Sequence, residues 1–125
     1  MTEHLQYEEA ARMTHEQLLE AFNSDDPLRI EPALWSATHD EPDWRWLQDQ
    51  CLRFLDSPDQ SVRWAAASCL GVIAMTRGKL DVERVIPRLE EAGREEAIRP
   101  AVEDSLSYIR EKSGVLESQT GPPPS

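Results

Sequence analysis

The sequence predicts an all-α domain, a short α-solenoid of about three antiparallel helix hairpins, on three observations. Residues 59–73 (DQSVRWAAASCLGVI) are echoed 36 residues later by residues 95–109 (EEAIRPAVEDSLSYI). The matched apolar positions pair Val62 with Ile98, Ala66 with Val102, Leu70 with Leu106 and Ile73 with Ile109. They fall at i, i+4, i+8 and i+11, which is one face of a helix. Short polar breaks separate the apolar stretches, and no strand pattern occurs. A fixed period of this size marks a stack of helical units, each burying its apolar face against its neighbours.

The elements follow in order. Residues 1–13 are acidic and weakly patterned, a flexible N-terminal arm. Thr14 followed by Gln17 makes a capping box, opening a helix over about 15–23 with Leu18, Leu19 and Phe22 inward. Asp26-Pro27 opens the next, because Asp caps and Pro at the first helical position forfeits no hydrogen bond. Its core stripe is Ile30, Ala33, Leu34 and Ala37, and it ends near Thr38. A third helix starts at Asp43 with Trp44, Leu47, Cys51, Leu52 and Leu55 inward. The fourth, about 60–77, is the most apolar, and Gly78 stands where a left-handed cap belongs. Asp81 opens a fifth through Ala92, carrying Val82, Val85, Ile86 and Leu89, with Pro87 as a kink or an irregular first turn. The sixth covers about 95–112. The repeat domain thus spans 14–112, and residues 113–125, with their late Gly and Pro, read as a disordered tail.

Charge is unevenly placed. The net formal charge is −11, and residues 1–43 hold eleven acids against Arg12 and Arg29. Such a field repels phosphate backbones, so nucleic acid is an unfavourable partner, and a basic protein is the class it would attract. The N-terminus lacks a basic region and an apolar run, so no secretory signal is expected, and no segment has the roughly 20 apolar residues of a membrane span. Cys51 and Cys69 fall in apolar helical patterns, which suits reduced thiols in a cytoplasmic protein.

The motif Asp59-x-x-Val62-Arg63-x-x-Ala66 with Leu70-Gly71 resembles the second helix of a HEAT repeat, over about residues 26–112. The resemblance implies a right-handed solenoid in which the Asp caps the helix, the aliphatic residue and Ala pack inward, and the Arg pairs with neighbouring turns. The third unit keeps Glu95, Ile98, Arg99 and Leu106 but has Val102 for Ala66 and Pro100 after the Arg. A narrower likeness lies in PDWRWLQDQCLRFLDSPDQSVRWAAASCLG followed by LDVERVIPRLEEA. It resembles small bacterial HEAT-like proteins, some of which serve as immunity proteins of polymorphic or contact-dependent toxin systems. The function this implies is stoichiometric neutralisation of a basic toxin domain. The alternative is a general HEAT-type adaptor or assembly factor with no toxin partner.

In HEAT stacks the second helix of each pair lines the concave side. With Val62, Ala66, Cys69, Leu70 and Ile73 inward, helix 60–77 turns Trp64, Ala67, Ser68, Gly71 and Met75 outward. A helix apolar all round is either fully buried or serves a partner on one side. The equivalent face carries Leu28, Glu31 and Trp35 on the second helix, and Glu103, Asp104, Ser107 and Glu111 on the sixth. An apolar centre in an acidic surround suits protein recognition. Trp46, about 200° round from the inward Trp44, should be half exposed, either lying on an Arg or Lys stem or extending that patch. His39, Asp40, Glu41 and Asp43 have metal-capable side chains on a turn, but there is no spaced second His and no CxxC. Neither an enzyme nor a cofactor is expected: thiols on core stripes are inert, and no Gly-rich phosphate loop occurs.

Overall fold

The computed structural model describes residues 13–120, with side chains as far as residue 112. It contains six α-helices among them and no strand: α1 (His15–Phe22), α2 (Pro27–Asp40), α3 (Trp44–Phe54), α4 (Gln60–Arg77), α5 (Val82–Ala92) and α6 (Arg99–Thr120), with a 3-10 turn at Glu96–Ile98 before α6. α1 packs on α2, α3 on α4 and α5 on α6, while α4 lies against both α2 and α6. Among the described residues no helix is long and apolar enough to cross a membrane. Of the expected arm, residues 1–13, residues 1–12 lie outside the described residues, and Met13 is half-buried against the core.

Local chemistry sets the boundaries. Gln17 N–H donates to Thr14 Oγ1 at 3.1 Å and Thr14 N–H to Gln17 Oε1 at 2.9 Å, closing the capping box. Asp26, Asp43 and Asp59 cap the next three helices by accepting from the amides of Leu28, Trp46 and Val62. Gly78 ends α4 with φ +65°, a left-handed cap that glycine adopts without strain. Asp81 does open α5, but its carboxylate caps nothing. It accepts instead from the buried Gln48, whose Oε1 takes the Asp81 N–H at 2.7 Å, so this reciprocal pair pins α5 to α3. α5 runs unbroken through Pro87. α6 continues to Thr120, past the predicted end at 112 and into the stretch read as a tail. Gly114 is a single weak helix former there, and the first Pro beyond it is Pro122. Residues 121–125 lie outside the described residues.

The repeated apolar stripes are interior in both copies: Val62, Ala66, Leu70 and Ile73 on α4, and Ile98, Val102, Leu106 and Ile109 at and along α6, are all buried. Leu19, expected inward, is 38% exposed, while Phe54 and Gln48 are buried without having been expected there. Arginines tie helices to one another. Arg53 of α3 donates to the Phe22 carbonyl ending α1, Arg88 of α5 to the Leu52 carbonyl of α3, and Arg77 of α4 to the Thr38 carbonyl of α2. Each meets carbonyls that a helix terminus leaves without an intrahelical partner.

Arg63 is the most heavily used. Its fork meets Glu95 through Nε at 2.9 Å and Nη2 at 2.6 Å, and Nη1 donates to the Ser57 carbonyl at 2.7 Å. Arg99, 36 residues on, donates to the carbonyl of Gly93. Both arginines therefore hold the turn six residues upstream. Arg63→Met is expected to lower the unfolding free energy by about 2 kcal/mol, the scale of a charge-assisted bidentate contact in a half-buried setting. Arg63→Lys should recover less than half, since an ammonium cannot reproduce the fork. Urea denaturation of the three proteins checks this, and an unchanged midpoint in Arg63→Met would refute it.

Asp59 supplies a pH-dependent contribution. The Ser61 hydroxyl and then the Val62 amide hold its carboxyl below the ordinary aspartate range. A depressed folded pKa gives stability that is present above the unfolded value, about 3.9, and is lost as pH falls through the folded one. Asp59→Asn should therefore lose less stability than the native chain as pH drops below about 4. Parallel unfolding curves across that range would remove the effect.

Candidate functional site

Helical register places the outward residues of α2, α4 and α6. At about 100° per residue, Trp64, Ser68 and Met75 lie within about 40° of one another, roughly opposite the core stripe of α4. Trp64 is 39% and Met75 44% exposed, with Ser68 half-buried between them. On α2, Leu28, Glu31 and Trp35 share one side, next to the edge where Leu34 and Thr38 meet α4 through Cys69 and Arg77. Leu28 is 85% exposed and Trp35 half-buried, its ring packed against the core.

On α6 the edge facing α4 is fixed by Ser105, whose hydroxyl donates to the Ala67 carbonyl at 2.6 Å. Val102 beside Gly93, and Arg110 in a 2.7 Å ion pair with Glu90, mark the side facing α5. Asp104, Tyr108 and Glu111 lie on the other side, within about 120° of Ser105 and continuous with the outward face of α4. Tyr108 is 41% exposed. The sequence reading passed over it, although it stands 36 residues after Val72 and shares a face with Asp104. Glu103 and Ser107 are exposed but lie about 160° from Ser105, so they point away from α4 and join the patch least.

Two expected positions change role. Ala67 and Gly71, read as outward, are buried because α6 lies against that flank of α4. A Cβ on Gly71 would sit 2.9 Å from the Ser105 Cα, so the crossing depends on glycine. Trp46, offered as a recognition residue, is half-buried as its angle predicts, with its ring centroid 4.4 Å from that of His15 and 5.8 Å from that of Phe22. The arginine stack falls to Trp44, with the Arg45 guanidinium 4.9 Å from its ring centre. His15 Nδ1 also lies 3.1 Å from the buried Glu41, whose other oxygen accepts the Asp43 N–H. Glu41 is thus a structural tie between α1 and the α2–α3 turn.

The two thiols are fully buried in the core. A hydrogen bond with Cys69, then burial, pushes the Cys51 thiol well above its ordinary range, which disfavours the reactive thiolate. Among the described residues no group of three His, Cys, Asp or Glu could hold a metal ion. Three described clefts open elsewhere, beside Leu19, beside Asp56 and Arg88, and beside Leu80, and none is lined by a residue of the Trp35–Trp64–Tyr108 face.

What the arrangement offers chemically is an apolar row, the exposed Leu28, Trp64, Met75 and Tyr108 with the half-buried Trp35, on three helices of which α4 packs against both α2 and α6, with Glu31, Asp104 and Glu111 beside it. No family model matches the sequence, and no curated protein or solved structure matches it either.

Proposed function

We propose that the protein is a HEAT-like binding module, a short right-handed solenoid of three antiparallel hairpins that captures a protein partner on the outward face of α2, α4 and α6. Most concretely, it acts as an immunity protein that neutralises a basic toxin domain by stoichiometric binding. The observation that carries the reading is the apolar row itself. Exposed large side chains are ordinary when scattered, whereas a contiguous set rimmed by polar groups marks an interaction surface. The repeat reading has its own support in the shared Arg63 and Arg99 bonds to Ser57 and Gly93, equivalent in spacing and acceptor.

The mechanism is blockage. Acids on the face stand in for an anionic substrate and steer a basic partner inward, and the desolvated aromatic contacts lengthen the lifetime of the complex. Co-expression with the product of the adjacent gene tests this. The expected result is a one-to-one complex and relief of that product's toxicity. Failure to retain a toxic neighbour would refute the immunity role, and retention of a non-toxic assembly component would favour an adaptor instead.

A further inference from the structure

The described arginine contacts lie within the scaffold rather than on the candidate face. Every arginine bond to a helix-end or turn carbonyl described above belongs to the scaffold: Arg53, Arg63, Arg77, Arg88 and Arg99 are all engaged there. At the outward positions of α2, α4 and α6 the full charges are Glu31, Asp104 and Glu111, with Lys112 half-buried one helical turn past Tyr108 on the edge facing α4. Aromatic rings stand among these acids, and the smallest side chain, Ser68, lies at the middle of the row. It follows Trp64 by one helical turn, with Trp35 on the α2 side and Asp104 and Tyr108 on the α6 side.

We infer that this face seats a cationic amphipathic segment of a partner protein, with a lysine or arginine side chain lodged over Ser68 among the Trp35, Trp64 and Tyr108 rings and beside Asp104. The inference rests on the reading of this face as a partner site and adds the chemistry of the occupant. A cation over aromatic faces gains from the ring quadrupoles, most so where the rim excludes water. Asp104 and Glu31 supply the opposite charge, and an acidic or neutral segment would lose that term and meet like charge.

The test needs no identified partner. Two peptides with the same leucine face, one bearing lysine and arginine and the other glutamate, are titrated into the 15N-labelled full chain while the four tryptophan indole resonances are followed. The basic peptide should move the Trp35 and Trp64 signals, leave Trp44 and Trp46 in place, and weaken as salt is raised. Ser68→Arg should reduce its affinity at least tenfold, and so should Asp104→Lys, a fully surface change that keeps the experiment decisive if the first variant misfolds. Equal response to the glutamate peptide, movement of Trp46 instead, or undiminished affinity in Asp104→Lys would overturn the inference. A toxin captured through Trp64 despite indifferent peptides would leave the partner-binding reading standing and remove only the cationic seat.

Discussion

Gly71→Val is expected to lower the unfolding free energy by about 3 kcal/mol, at the upper end of what overpacking costs. Glycine inside a helix is ordinarily a weakness, and its replacement by alanine there gains about 1 kcal/mol of helix propensity. At this position the sign reverses. The added Cβ would lie 2.5 Å from Ser105 Oγ and 2.9 Å from both Ser105 Cβ and Cα. The first two belong to a side chain, but the third is backbone, so α6 as a whole must retreat from α4. Retreat also stretches the Ser105 bond to the Ala67 carbonyl. Gly71→Ala should therefore destabilise despite its propensity gain, and Gly71→Val should lower Tm by roughly 12 °C or more. Ser105→Gly removes two of the three clashes, so Gly71→Ala combined with Ser105→Gly should cost less than the two changes summed. A more stable Gly71→Ala would mean that the helices do not cross this closely.

That crossing explains how far the fold was legible in the sequence. The 36-residue echo marks the stripe that each helix buries, because periodicity reports the one face that a run of large apolar residues must bury. It could not give the flanks. Ala67, Gly71 and Ser105 are small or polar, and each read alone belongs as well on a surface. They become interior only as a pair of complementary edges 34 residues apart in sequence, information that no single-helix pattern contains. Trp46 illustrates the same limit. Its angle on α3 is off the main stripe, as the sequence indicates, but α1 supplies His15 and Phe22 on that side and half-buries the ring. The candidate face fared better at Trp64 and Met75, which among the described residues keep 39% and 44% of their surface exposed. Tyr108 escapes because the outward face of the sixth helix is drawn in the sequence from its polar residues Glu103, Asp104, Ser107 and Glu111.

The contrast between the two tryptophans yields the largest functional effect. Trp64→Ala should weaken partner binding by 2 kcal/mol or more, about thirtyfold in Kd, as expected of a central aromatic anchor. Its ring is more than a third exposed, so the unfolding free energy should change by less than about 1 kcal/mol. Trp46→Ala should do the opposite. The loss of its contacts with Phe22 and His15 should cost about 2 kcal/mol of stability, below the range for a fully buried aromatic, and should leave Kd within about threefold. The acids divide the same way: Asp104→Lys, on the outward flank, should slow association markedly, whereas Glu103→Lys, turned to the free side of α6, should not. Titration calorimetry against the captured partner, with chemical denaturation of the same four variants, resolves both axes. Binding lost in Trp46→Ala and kept in Trp64→Ala would move the interface from the α2–α4–α6 face to the α1–α3 side of the molecule, because only there does Trp46 have surface to offer.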